Sequence, residues 1–169
     1  MSCGSSRDGR AVVALTERSH GPAVLCMTVR ILVATDGSGK SLAALDSLTR
    51  HLDWFRDGVE LTLLYAHAAL PYKRAVAWAG KDAVHSYYEE ESEEALAGAR
   101  KLLASRNLAF NIEKRIGEPA QQIVECAAAG GFDLIVMGTH GHTALVNLVV
   151  GSVATKVLAT SKVPVLFMH

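Results

Sequence analysis

The strongest constraint in this chain is a regular alternation of two periodicities. Thr28 to Thr35, TVRILVAT, is apolar and β-branched and ends at Asp36-Gly37. Such a run predicts a buried strand stopped by a turn. Ser38 is placed to cap a helix, and Leu42, Ala44, Leu45 and Leu48 then repeat at helical spacing up to about Leu52. Asp57-Gly58 turns the chain into a second strand, Val59 to Ala66. Asp82 to Arg106 is the longest helical segment, with Leu96, Ala99, Leu102 and Leu103 as its buried stripe. Leu108 to Ile116 alternates as a strand with one wetter face. Gly117-Glu118-Pro119 starts another helix, Ile123, Val124 and Ala127 face inward, and Gly130-Gly131 ends it. Asp133 to Met137 reads as a fourth strand. A helix from about Ser152 to Thr160 and a strand from Val163 to Met168 complete the chain.

The order βαβαβαβαβ implies an open parallel sheet with helices on both faces and right-handed crossovers. In such sheets ligands sit outside the carboxyl ends of the strands, where the strand order reverses. Asp36 and Gly138 follow the first and fourth strands. If those strands are neighbours, both loops face one cleft.

The loop after the fourth strand, Gly138 to Ser152, reads GTHGHTALVNLVVGS. Gly138, Gly141 and Gly151 permit close backbone approach and turns that aim N–H groups inward. The helix that follows presents unpaired N–H groups and a partial positive charge, which favour phosphate. Ser152 is placed to cap that helix or to give its hydroxyl to a phosphate oxygen. The plainer reading is a loop that only turns the chain.

Other motifs compete. Ala34 to Ser41, ATDGSGKS, differs from the phosphate loop GxxxxGK[ST] at one position, with Lys40 and Ser41 at the lysine and hydroxyl places. Its first glycine is missing, and no later apolar strand ends in the Asp that would hold magnesium. Gly37-Ser38-Gly39 begins a dinucleotide fingerprint, but Leu42 replaces the third glycine and no acid ends the second strand. His140, His142 and His67 lack the companions of a metal site, and Ser152 lacks a nucleophile elbow. The acidic run Glu89, Glu90, Glu91, Glu93 and Glu94 reads as a solvated helix face rather than a metal or partner site.

Composition narrows the partners. The 169 residues suit one domain with a substantial core. Lys+Arg and Asp+Glu balance at 17 each, so no basic surface points to nucleic acid. No apolar run is long enough for a membrane span. Cys3, Cys26 and Cys126 are too few and too widely spaced for a disulfide framework, and suggest a reducing, cytoplasmic setting. Residues 1–27 read as a poorly ordered extension rather than a signal peptide, and residues 28–169 as the domain.

Several of these motifs together resemble the universal stress protein family. Its nucleotide motif, G-x2-G-x9-G-[ST], is complete here as Gly138, Gly141, Gly151 and Ser152. RILVATDGS is similar to the family's opening strand and turn, LTLLYAH to its second strand, and VATKVLATSKVPVLFM to its closing helix and strand. The similarity spans Val29 to the end of the chain. It implies a five-stranded parallel sheet in the order 3-2-1-4-5, with ATP between the loops of the first and fourth strands. The implied nucleotide residues are Ala34 and Asp36, Ala66 near adenine, and Met137 and Gly138. Gly141, His142, Gly151, Ser152 and Val153 follow around the phosphates. Asp36 would meet ribose or a phosphate-bound Mg2+. The resemblance also implies a homodimer, and Val163 to Met168, apolar and expected at a sheet edge, is the strand that would form it. Tyr65 and Ala66 depart from residues common at those positions. The reading is an ATP-binding stress or regulatory sensor. Fast hydrolysis needs a positioned water and charge neutralisation, and His140 is the sole candidate in the loop. The alternatives are a slow ATPase, a phosphate-loop enzyme using Lys40 and Ser41, and a nucleotide-free dimerisation module.

Overall fold

The computed structural model describes residues 28–56, 58–68, 80–139 and 150–169. The extension over residues 1–27 lies outside them, as do His140, Gly141 and His142. Five parallel strands form one sheet in the order β3-β2-β1-β4-β5. They are β1 Val29–Ala34, β2 Val59–His67, β3 Phe110–Ile116, β4 Leu134–Gly138 and β5 Val165–Met168. The helices are α1 Gly39–Arg50, α2 Lys81–Ser105, α3 Pro119–Ala129 and α4 Ser152–Thr160. A short 3-10 turn, Leu52–Trp54, follows α1. The alternation of the sequence is thus the alternation of the fold.

β1 is apolar at every central position because both of its faces are covered. Ile31 and Val33 join Leu45 and Leu48 of α1 and Leu96, Ala99 and Leu103 of α2 in one core. Leu32 and Ala34 join Ile123 and Ala127 of α3 and Ala154 and Val157 of α4 in the other. Period-two side chains of one strand therefore feed two separate cores. β1 pairs with β2 from Val29↔Val59 to Ala34↔Leu64 and with β4 from Ile31↔Leu134 to Ala34↔Met137. The loops after β1 and β4 are consequently neighbours, at the point where the strand order reverses.

Two strands start two residues later than the sequence suggests, each for a local reason. β3 begins at Phe110 because residues 107 and 108 finish α2. Asn107 takes φ 54, its N–H donates to the Ala104 carbonyl, and the Leu108 N–H donates to the Leu103 carbonyl. This is a Schellman end with Asn in the left-handed position. β5 begins at Val165 because the Ser161 hydroxyl accepts from the Val163 N–H at 3.1 Å and donates to the Val163 carbonyl at 2.7 Å, holding a turn there.

The acidic run on α2 does more than face water. Glu90 and Glu94 are exposed. Glu89 and Glu93 both accept from the Lys114 ammonium of β3, at 2.6 and 2.7 Å, and Arg100 donates to Glu93. Glu91 meets the His67 ring of β2. The exposed pairs are screened by water and each adds little, and they join α2 to β2 and β3.

Candidate functional site

A cleft of ≈ 210 Å³ opens at the carboxyl end of the sheet, over the junction of β2, β1 and β4. Its walls come from Ala34 at the end of β1 with Thr35 and Asp36 after it, Leu64 and Ala66 of β2, and Met137 and Gly138 of β4 with Thr139 after them. Pro119 and Ile123 at the start of α3, Ser41 of α1, and Gly151 to Ala154 at the start of α4 complete it. The β2 and α3 side is apolar and suits a flat ring. The α4 side ends in backbone N–H groups.

The β1 loop is held by its own short side chains. Asp36 Oδ1 accepts from the Ser38 N–H at 3.0 Å, and the Gly37 N–H donates to Thr35 Oγ1 at 3.3 Å. Ser38 caps α1, accepting from the Ser41 N–H at 3.2 Å. The Ser41 hydroxyl donates to the Ser38 carbonyl at 2.9 Å and lies 3.1 Å from Thr35 Oγ1. Thr35, Ser38 and Ser41 are buried, so the bonds among these three are shielded from water, while those of Asp36 and Gly37 are partly buried. Lys40 is exposed on the first turn of α1 and is not among the residues lining the cleft. A phosphate loop would need that lysine to turn inward and the Ser41 hydroxyl to leave its bonds to Ser38 and Thr35.

At the other wall, Gly151 is the N-cap of α4, with φ −68 and ψ 160. Ser152 is the first helical residue and not the N-cap, so of the two roles read for its hydroxyl, capping the helix or reaching a phosphate oxygen, the first does not hold. The Gly151 N–H donates to the Thr139 carbonyl at 2.7 Å, tying α4 to the end of β4. It is therefore not one of the N–H groups open to a phosphate. Those of Ser152, Val153 and Ala154 have no acceptor within the helix. Glu118 fastens α3 to α4, accepting from the Gln121 N–H at 2.8 Å and from Lys156 Nζ at 2.9 Å. The Gln121 N–H and then Lys156 hold its carboxyl below the usual range.

Eight of the ten residues expected from the sequence line this cleft: Ala34, Asp36, Ala66, Met137, Gly138, Gly151, Ser152 and Val153. Gly141 and His142 lie outside the described residues. Sequence reading missed Thr35, Leu64, Pro119, Ile123, Thr139 and Ala154, and named Ser41 only in the phosphate-loop alternative. Position just beyond a strand's carboxyl end was an available signal for Thr35 and Thr139. Nothing local marks Pro119 or Ile123 as more than a helix start and a core residue.

Asp36 is the one carboxylate lining the cleft among the described residues. Mg2+ keeps several waters and takes one or two carboxylates together with phosphate oxygens, so a single Asp fits a cation that arrives with a nucleotide. Among the described residues no group of three or more His, Cys, Asp or Glu is placed to hold a metal. No helix there is long and apolar enough to cross a membrane.

Comparison with known proteins agrees with this architecture. The model of the Universal stress protein family matches residues 27–169. Universal stress protein MJ0531 of Methanocaldococcus jannaschii is 32% identical over 140 residues, covering 81% of this chain and 79% of its own. The solved structure of MJ0577, a hypothetical protein of the same organism, superposes with a TM-score of 0.67 at 27% identity, covering 84% of this chain and 96% of its own. A universal stress protein of Archaeoglobus fulgidus, solved in complex with dAMP, has a TM-score of 0.56 at 19% identity, covering 86% of this chain and all of its own, 100%.

Proposed function

This chain belongs to the universal stress protein family, and from that premise we propose that it is an ATP-binding sensor rather than a fast enzyme. The observation that carries the reading is the composition of the cleft. An apolar slot from Leu64, Ala66, Pro119, Ile123 and Met137 lies beside a helix start whose N–H groups suit phosphate. In this reading adenine packs against the slot and bonds to backbone near Ala66. The phosphates lie toward Ser152 and Val153, with the Ser152 hydroxyl adding a donor, and Gly138 and Gly151 keep the approach clear. Gly141 and His142 belong to the same phosphate loop. Asp36 takes ribose or a phosphate-bound Mg2+. The Archaeoglobus fulgidus protein of the same fold holds dAMP, an adenine nucleotide. The proposed setting is the cytoplasm, in keeping with Cys126, a buried free thiol.

The test is calorimetry with Mg-ATP, and with GTP and NAD as comparators, on nucleotide-free protein. Heat of binding with ATP in preference to the others is expected. A folded protein that gives no heat up to millimolar ATP removes the proposal.

The same reading extends to assembly. β5 lies at the sheet edge, paired on one side with β4 from Ile135↔Val165 to Gly138↔Met168. Among the described residues no strand pairs with its other edge, and an edge of that kind invites a second chain. A homodimer formed through residues 163–168 is expected. Sedimentation equilibrium at micromolar concentration checks it, and a monomer there overturns it.

A further inference from the structure

His67 ends β2 with its ring buried and both ring nitrogens facing oxygen. Nδ1 is 2.6 Å from the Ala68 carbonyl, and Nε2 contacts the Glu91 carboxylate of α2. Both nitrogens thus face groups that accept hydrogen bonds, one on the neighbouring backbone and one on α2. Tyr65, Tyr87 and Tyr88 stand edge-on around the ring, with centroids at 6.1, 5.8 and 4.8 Å. Tyr87 and then His67, by hydrogen bonding, hold the Glu91 carboxyl below its usual range. The buried His67 ring, engaged at both nitrogens, is a fixed point, while the Glu91 side chain stays partly exposed to water.

That fixed point sits directly behind the cleft. Ala66, the neighbour of His67, lines it. Ala95, one turn along α2 from Glu91, is packed against Gly37. A Cβ added at Gly37 would come 2.8 Å from Ala95 Cα and 2.9 Å from its carbonyl oxygen. Gly37 follows Asp36, which lines the cleft from the β1 side. One face of α2 therefore touches the two segments that carry Ala66 and Asp36. Burial, with the charges of Glu91 and Asp36 adding to it, pushes the Tyr65 hydroxyl up.

We propose that Glu91 is a positioning residue for the cleft. Through His67 it seats α2 against the carboxyl ends of β1 and β2, and so sets the spacing between Asp36 and Ala66 that receives the nucleoside part of the ligand. The proposal rests on the adenine-nucleotide reading of the cleft. Neither Glu91 nor His67 lines the cleft, so any effect they have on the ligand passes through backbone position.

The experiment is a Mg-ATP titration of the wild-type chain, Glu91→Ala and Glu91→Gln, each with a thermal melt. It is joined by NMR of the His67 ring in the wild type with and without saturating Mg-ATP. Glu91→Ala should weaken ATP by about 2- to 30-fold, the usual range for residues that act on a site from outside it. Glu91→Gln should restore affinity to near wild type, because its amide offers an oxygen or an N–H to either protonation state of the ring. The His67 ring signals should move when ATP binds, which a merely structural pair would not show. Wild-type protein that binds ATP with unmoved ring signals, or a folded Glu91→Ala chain with unchanged affinity, overturns the positioning role and leaves the nucleotide reading standing. No binding by the wild type overturns both. If Glu91→Ala does not fold, the wild-type ring signals and the Gln variant still decide the matter.

Discussion

Gly151→Val is expected to lose Mg-ATP binding in a calorimetric titration, while Lys40→Ala keeps it. Gly151 has the ordinary extended backbone of an N-cap, φ −68 and ψ 160, so valine can be accommodated without backbone strain. Its N–H can still reach Thr139, and its carbonyl can still accept from the N–H and hydroxyl of Thr155, at 2.9 and 3.0 Å. What changes is the surface of the cleft. The branched side chain stands where a phosphate would approach the N–H groups of Ser152 and Val153. Losing two charge-assisted hydrogen bonds of ~1.5–3 kcal/mol each predicts a fall of at least about a hundredfold. Ser152→Ala removes one hydroxyl donor and should cost about 1 kcal/mol, or roughly fivefold. Lys40 is exposed on α1, and removing a screened surface charge should change affinity by no more than about threefold. Circular dichroism on each variant checks folding. A Lys40→Ala protein that loses ATP while Gly151→Val retains it would move the phosphates to the β1 loop and make ATDGSGKS the phosphate site.

The fold was legible because its signals are local. β1 and β4 are apolar on successive residues, as strands covered on both faces must be, and Asp36-Gly37 and Gly130-Gly131 mark ends where the chain must turn. The site was legible where a glycine or a strand end marked it. It was not legible where several elements converge. Ile123 reads as an inward helix residue, and nothing in its neighbours says that the core it faces opens into a cleft. Gly151 reads as a phosphate-facing N–H, yet that N–H is taken by Thr139, twelve positions earlier in the chain. The acidic run shows the same gap. Helical spacing assigns Glu89, Glu91 and Glu93 to turns of α2, but Lys114 and His67 are 21 to 25 residues away in sequence. Which strand lies beneath a helix is a property of the sheet order, and charge pattern carries no record of it.

The largest expected effect on stability lies at Gly37. Its φ of 77 is in the left-handed region, and a Cβ there would lie 2.8 Å from Ala95 Cα and 2.9 Å from the Ala95 carbonyl oxygen. Both atoms are backbone of a long helix, so relief requires α2 to move rather than a side chain to turn. Left-handed alanine costs about 1–2 kcal/mol, and overpacking typically adds 1–3 kcal/mol. Gly37→Ala should therefore destabilise the chain by about 2–5 kcal/mol in urea melts. Gly58 separates the two contributions. It has φ 88 but nothing within 4 Å of an added Cβ, so Gly58→Ala should show the backbone cost of about 1–2 kcal/mol alone. Gly39, on the first turn of α1 with open space around it, should tolerate alanine or gain up to about 1 kcal/mol. The difference between the Gly37 and Gly58 variants then measures how firmly α2 presses on the β1 loop. If Gly37→Ala is no less stable than Gly58→Ala, that contact is soft, and α2 does not hold Asp36 in place.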